Sequence, residues 1–213
     1  MCAIEGIIDF STQTAVPEEL CQNMLATMTR RGPDQNGVYQ NGPAALLHTR
    51  LTVVDPDGGK QPFSLSAGKE TYVLVYNGEL YNTEEIRQEL MEKGHTFREH
   101  SDTEVLLHAY VEWKENCVQK CNGIFAFAVW EEKARRLFLA RDRIGVKPCF
   151  FSRRGDALLF ASEIKTLLAH PLVRPRIDRK SILELLLAGP GRTPGYGVFC
   201  DILELEAGCC ARP

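Results

Sequence analysis

No run of apolar residues in this sequence approaches the roughly 20 that a membrane-spanning helix needs; the longest is Ile124 to Trp130. Charge of one sign is not in excess either. Lys and Arg number 25 against 28 Asp and Glu, a formal net charge of -3, which leaves no electrostatic footprint for nucleic acid or an anionic membrane. No basic stretch followed by an apolar one opens the chain, so no secretory signal is read there. The eight cysteines, at positions 2, 21, 117, 121, 149, 200, 209 and 210, include no Cys-x-x-Cys pair and have no His-x-x-x-His companion, so no zinc or other metal site is expected. Without a signal, a disulfide framework is not expected. What remains is a cytoplasmic chain with reduced thiols, most of them small core residues. A Gly-rich phosphate loop closing on Lys-Ser/Thr is missing, as are internal repeats and low-complexity linkers.

The rest is ordinary globular composition: 213 residues, 44% hydrophobic and 25% charged, enough for a sizeable core in one large domain or two small ones. Ala3 to Phe10 reads as an apolar strand. Leu20, Met24 and Met28 recur every four residues, so Pro17 to Arg30 reads as a helix that starts on Pro17 and stops before Gly32-Pro33. Val38 to Leu51 reads as two strands around Asn41-Gly42-Pro43, and Thr71 to Tyr76 as another. Asn82 with Glu85 and Ser101 with Glu104 have capping-box spacing, which predicts one helix ending at Gly94 and a second carrying Val105, Leu106, Ala109 and Trp113. Four strand-like runs follow, at 123–130, 136–141, 148–153 and 157–162, and the short turns between several of them argue an antiparallel meander. Residues 163–168 and 181–188 read as short helices, and 189–197 as a Pro/Gly-rich loop. The whole of 1–213 reads as a single piece of a longer protein.

Chemistry is suggested first by Met1-Cys2. Initiator methionine is commonly removed before a small residue, which would leave Cys2 with a thiol and a free α-amine on one residue. An α-amine has a pKa of about 7.7–8.0, so near neutral pH a fair fraction can accept a proton. A nucleophile and its base would then be supplied together. Asn77-Gly78 by itself is a strong hairpin-turn signal, and Asp102 in the first turn of a helix complements the helix dipole without any ligand.

The order of several motifs changes that reading. The chain carries Met1-Cys2-Ala3-Ile4-Glu5-Gly6, then Arg30-Arg31-Gly32-Pro33-Asp34, His48-Thr49-Arg50-Leu51, Tyr76-Asn77-Gly78-Glu79-Leu80-Tyr81-Asn82, Ser101-Asp102-Thr103-Glu104, Asn122 to Phe127, and Ala140 to Pro148. This set resembles the N-terminal glutaminase domain of glutamine-hydrolysing asparagine synthetases, class II glutamine amidotransferases of the N-terminal-nucleophile hydrolase family. The resemblance implies an α+β fold, a four-layer αββα sandwich of two mainly antiparallel sheets. It implies hydrolysis of L-glutamine to glutamate and ammonia through a thioester on Cys2, with ammonia passed to an ATP-dependent conversion of aspartate to asparagine. Asn77 and Gly78 would form the oxyanion hole, Arg50 would pair with the substrate carboxylate, and Asp102 would accept from its ammonium. Leu51, Thr52, Val53, Val54 and Glu79 would complete the glutamine pocket.

The resemblance also implies that this domain needs no cofactor, since ATP and Mg would belong to a C-terminal synthetase domain of the same full-length chain; a homodimer is a further implied partner. His48 reads as a structural histidine rather than a base. Arg141, Asp142, Arg143 and Lys147 read either as a salt-bridged fold element or as a face toward the synthetase domain. One departure from the family pattern is Ala3, where glycine is usual. The competing readings are a class II transferase with a different ammonia acceptor, and a degenerate domain that only docks to or regulates a partner.

Overall fold

Several strands of this chain are apolar on both faces and therefore need cover on both sides. The computed structural model describes residues 1–52, 58–187 and 193–212. In chain order they form β1 (Ala3–Asp9), α1 (Glu18–Met28), β2 (Gln35–Asn41), β3 (Ala44–Arg50), β4 (Phe63–Ala67), β5 (Glu70–Leu80), α2 (Thr83–Glu92), α3 (Asp102–Trp113), α4 (Cys117–Lys120), β6 (Gly123–Glu131), β7 (Arg136–Arg141), β8 (Phe150–Arg154), β9 (Ala157–Ala161), α5 (Ile164–Leu168), α6 (Arg179–Leu187), β10 (Leu203–Glu204) and β11 (Cys210–Ala211). Two sheets result, ordered β10-β8-β9-β1-β3-β2 and β11-β7-β6-β5-β4. Every ladder is antiparallel.

Strand alternation sorts the side chains into three cores. Ile4, Ile8 and Leu46 of the first sheet meet Val73, Val75, Ala126, Ala128 and Leu137 of the second between the sheets. Ile7, Ala45 and Leu47 point the other way, onto Cys21, Met24 and Leu25 of α1 and Leu167 of α5. Leu74, Phe127, Val129 and Phe138 point outward from the second sheet, onto α2, α3 and α4. Burying each such large side chain is worth roughly 1.5–3 kcal/mol, so all three interfaces hold the layers. The αββα sandwich of two antiparallel sheets is therefore observed. Gly6 lies on the inter-sheet face, where an added Cβ would collide with the Phe160 ring.

Several elements differ from the sequence reading. The strand expected to end at Tyr76 runs on to Leu80, so Asn77-Gly78 is strand and not turn. Strand β4 and the two-residue β10 and β11 were not anticipated, although β4, Phe63-Ser64-Leu65-Ser66-Ala67, alternates apolar and polar residues as a half-buried strand does. The Asn82–Glu85 capping box does not form. The Asn82 amide donates to the Lys120 carbonyl and its oxygen accepts from the Asn122 N–H, which ties α2 to the start of β6 instead. Ser101 does cap α3, accepting from Glu104 N–H at 3.3 Å, but the Glu104 carboxylate turns away to take the N–H groups of Arg98 and Glu99. Ala188 and residues 189–192 of the expected loop after it lie outside the described residues.

The 142–147 stretch is a fold element. Buried Asp142 accepts from the N–H groups of Phe125, Ile144, Val146 and Lys147. Arg141 donates to the carbonyls of Gly145, Lys147 and Leu205 and pairs with Glu204. Cys117 and Cys121 are buried, as a packing role requires.

One buried group works against stability. Glu5 is fully buried on the α1 side of β1, and neither carboxylate oxygen has a hydrogen-bond partner among the described residues. Desolvation raises its pKa from 4.5 to about 8. Between those values the unfolded chain gives up a proton that the folded chain keeps, so the Glu5 contribution to stability falls as pH rises across that window. Glu5→Gln should therefore flatten the pH dependence: thermal melts at pH 5 and pH 8 should show the parent losing more of its Tm than the variant does. Equal losses would mean that Glu5 has found a partner.

Candidate active site

The register of the two sheets brings the candidate residues to one end of the inter-sheet core. Ala3 pairs with Thr49, so one step further along the same ladder sets Cys2 across from Arg50. Alternation puts Cys2 on the face of Ile4 and Ile8, and Arg50 on the face of Leu46 and His48, both of which look between the sheets. On the opposite sheet Asn77 continues the inter-sheet face of Val73 and Val75. The apolar core thus becomes polar at this end, in order Leu46, His48, Arg50 on β3 and Val73, Val75, Asn77 on β5.

A cavity of about 330 Å³ opens there, lined by Cys2, Arg50, Leu51, Gly78, Glu79 and Asp102 among others. Cys2 is half-buried, and its thiol lies 3.6 Å from the Leu51 carbonyl. The main chain beside it is held by Arg31: Nε donates to the Cys2 carbonyl at 2.8 Å, Nη1 pairs with Glu163, and the Arg31 carbonyl accepts from the Met1 amine. Met1 itself is 58% exposed. Arg50 is buried, with Nη1 donating to the Gln35 side chain at 3.1 Å. Glu79 is exposed at the rim. Thr52 is not among the lining residues; its N–H is held by Asp34 at 2.7 Å. Val53 and Val54 lie outside the described residues.

The N–H groups beside the cavity follow from where a ladder ends. β4 pairs with β5 only as far as Phe63–Leu74. Phe125, opposite Gly78, exchanges its hydrogen bonds with Asp142 on its other side, so Gly78 is a non-hydrogen-bonded partner whose N–H points toward the edge that β4 has vacated. Residues two apart share that direction. Tyr76 N–H goes to the Gln61 side chain at 2.6 Å, and Leu80 N–H to Asp102 Oδ2 at 3.2 Å. Gly78 N–H, between them, faces the cavity. A Cβ at 78 would run into the Ile124 carbonyl and the Tyr76 ring, so glycine is needed there for close approach. Asn77, beside it, is 2% exposed, and its Nδ2 is buried with no partner among the described residues.

Asp102 is held from three sides. Oδ2 accepts from Tyr76 Oη at 2.8 Å and from Leu80 N–H, and the Thr103 N–H adds a third donor. Burial is the dominant influence and raises its pKa, while these three donors pull it down. His48 is buried, with Nε2 3.2 Å from the Tyr76 carbonyl. Burial lowers its pKa to about 3, which favours the neutral imidazole. Ala3 has no positive φ and sits in the β1–β3 ladder, so its methyl adds no backbone strain.

Sequence reasoning missed Tyr76, Gln61, Gly59, Ser101 and Thr103, all of which line the cavity. Tyr76 and Ser101 adjoin residues already singled out and could have been found by adjacency. Gln61 carried no signal, because its role depends on where a loop crosses.

The glutamine amidotransferase domain model matches residues 1–212. The chain is 50% identical over 206 residues to asparagine synthetase [glutamine-hydrolyzing] 3 of Bacillus subtilis, covering 97% of this chain and 34% of that protein. It is 41% identical over 170 residues to asparagine synthetase [glutamine-hydrolyzing] 1 of the same organism, covering 79% and 27%. The chain therefore spans about a third of the length of these curated relatives. The solved glutamine phosphoribosylpyrophosphate amidotransferase of B. subtilis matches with a TM-score of 0.65 over 78% of this chain and 43% of that chain, at 22% identity, a likeness of fold.

The hydrogen bond from Tyr76 is one of the contacts that hold down the pKa of Asp102. Tyr76→Phe removes it and leaves the carboxyl just as buried, so the Asp102 pKa should rise further. Carboxyl-carbon NMR titration of parent and variant would check this; an unchanged midpoint would mean that the hydroxyl makes no such contact.

Proposed function

This chain belongs to the glutamine amidotransferase domain family, and we propose that it hydrolyses L-glutamine to glutamate and ammonia with Cys2 as nucleophile. The observation that carries the reading is the single cavity shared by Cys2, Arg50, Gly78, Glu79 and Asp102. One thiol, one guanidinium and the carboxylates of Asp102, Glu79 and Glu84 around a volume of that size match an amino acid with a reactive side-chain amide.

After removal of Met1, the Cys2 α-amine takes the thiol proton and sulfur attacks the glutamine side-chain carbonyl carbon. The carbonyl oxygen becomes an oxyanion, stabilised by Asn77 Nδ2 and Gly78 N–H. The amine returns its proton to the leaving nitrogen, the C–N bond breaks, and ammonia departs from a glutamyl thioester. Water then attacks the thioester carbonyl by the same route and releases glutamate and the free thiol. Arg50 binds the α-carboxylate with its planar guanidinium, and Asp102 and the rim carboxylate of Glu79 face the ammonium end. Leu51 forms the wall beside the thiol, and Thr52, Val53 and Val54 continue that segment.

The ammonia acceptor we infer is the aspartate-activating reaction of an asparagine synthetase. Its support is the 50% identity over nearly the whole chain to such an enzyme. ATP and Mg are assigned to a synthetase domain of the same full-length chain, since the matched relatives are about three times longer, with 1–213 as the glutaminase part of it. Among the described residues no helix is long and apolar enough to cross a membrane.

Cys2→Ala should abolish ammonia release and leave the fold intact, as read by a glutaminase assay with circular dichroism. In the parent, activity should scale with the fraction of chains whose intact mass shows Met1 removed, because an amide nitrogen cannot accept the thiol proton. Full activity in a preparation that retains Met1 would overturn the mechanism.

Arg50→Lys should raise KM more than it lowers kcat, because the carboxylate contact is made in ground and transition state alike. The expected loss is on the order of 1.5–3 kcal/mol, typical for a hydrogen bond to a charged group. Asn77→Ala should do the opposite, lowering kcat by about 10²–10³ with little change in KM, since the oxyanion forms only on the way to the intermediate. Steady-state kinetics on both variants checks the split; a kcat effect at Arg50 with unchanged KM would put the carboxylate elsewhere.

A further inference from the structure

We propose that Gln61 is a positioning residue for the oxyanion site, its side chain standing in for the strand that β5 lacks beside Tyr76. The inference rests on the glutaminase reading above.

The β4–β5 register pairs Phe63 with Leu74, and two more steps would set Gln61 opposite Tyr76. The backbone does not make that pair. The main chain at Gln61 has instead moved against β2, where only glycine fits at 37 because a Cβ there would overlap the Gln61 carbonyl. The side chain crosses back over the gap this leaves. Gln61 Oε1 accepts the Tyr76 N–H at 2.6 Å, in place of a strand carbonyl, and Gln61 Nε2 lies 3.4 Å from Thr103 Oγ1.

On the other side of Tyr76, its carbonyl accepts from His48 Nε2 at 3.2 Å; a carbonyl can only accept, so Nε2 carries the proton. The peptide planes before and after Tyr76 are therefore pinned by two side chains, one from the β4 approach and one from β3. Asn77 and Gly78, the two proposed oxyanion donors, come next in the chain. With one acceptor lost, the Val75–Tyr76 plane is held only from the β6 side, at Val75–Ala128, and can tilt, carrying the Gly78 N–H with the strand. Displacing a reacting geometry by about 1 Å can cost as much as 10² in rate. Substrate affinity should change little, since Arg50 is held by Gln35 and Asp102 keeps the N–H groups of Leu80 and Thr103 even if Tyr76 shifts.

The test compares the parent with Gln61→Met, which fills the space without an acceptor, and Gln61→Glu, which keeps an acceptor oxygen at the same reach. Gln61→Asn, polar but too short, guards against a methionine variant that fails to fold. Glutamine hydrolysis is read as kcat and KM, and the Tyr76 amide is followed by hydrogen exchange in NMR spectra. Gln61→Met and Gln61→Asn should lower kcat about tenfold with KM within about twofold. Tyr76 amide exchange should speed up in both, with Leu74 still protected. Gln61→Glu should keep kcat within about threefold of the parent and keep Tyr76 protected. Parent-like kcat in both the Met and Asn variants, or a Glu variant as impaired as they are, would overturn the inference. A parent that releases no ammonia would instead sink the glutaminase reading. The Tyr76 exchange rates distinguish that failure from loss of the Gln61 contact, because they report the contact without turnover.

Discussion

A ladder that stops early governs this site. β5 runs from Glu70 to Leu80, but its neighbour β4 accompanies it only as far as Leu74. Beyond that point the edge-facing backbone groups of Tyr76, Gly78 and Leu80 have no strand beside them. A buried edge cannot leave such groups bare, because each unmet donor costs about 1–3 kcal/mol. Two of the three are satisfied by side chains from elsewhere, Gln61 and Asp102. The middle one faces a cavity. A proposed oxyanion donor thus arises from ordinary sheet parity plus one missing strand, and the residues around it are those that hold the rest of the edge closed.

The sandwich supplies the second half of the geometry. Cys2 stands one residue before β1 and Arg50 ends β3, so the Ala3–Thr49 pair beside them anchors both to the same ladder. Asn77 and Gly78 share the second sheet. Packing between Ile4, Leu46, Val73 and Val75 sets the distance between the sheets, and the His48–Tyr76 hydrogen bond ties them at the point where the core turns polar. A site built on strands in this way is more rigid than one built on loops, and it lets a distant core residue influence the reacting geometry.

Much of this was legible in the sequence, for identifiable reasons. The strands 123–131, 136–141 and 157–161 were read nearly to the residue because they are apolar runs closed by turns. Cys2, Arg50, Leu51, Gly78, Glu79 and Asp102 were singled out, and they do line one cavity. Asn77-Gly78 shows the limit of local rules. The pair favours a tight turn, yet cross-strand pairing with Ala126 and Phe125 overrides it, and the glycine is there because Ile124 and Tyr76 leave no room for a Cβ. Gln61 was invisible for a related reason: its partner is a backbone N–H fifteen residues away, and the main chain at Gln61 lies against Gly37 of β2 instead of pairing with β5.

Two buried polar groups without partners mark the difference between a site and a defect. Glu5 and Asn77 are equally hidden, and both carry polar atoms that find no hydrogen bond among the described residues. Glu5 lies under α1, beside Cys21 and the apolar residues of that layer. Its burial has only a cost, and its pKa moves to shed the charge. Asn77 cannot shed anything by titrating. Its Nδ2 is buried on the inter-sheet face; Asn77 is not itself among the residues that line the cavity, but Gly78, next to it in the chain, is. An amide donor that is desolvated in advance binds a developing negative charge more strongly than one that must first release water. The kind of unmet hydrogen bond that weakens the fold at position 5 is the one the proposed oxyanion role uses at position 77, where the next residue, Gly78, lines the cavity.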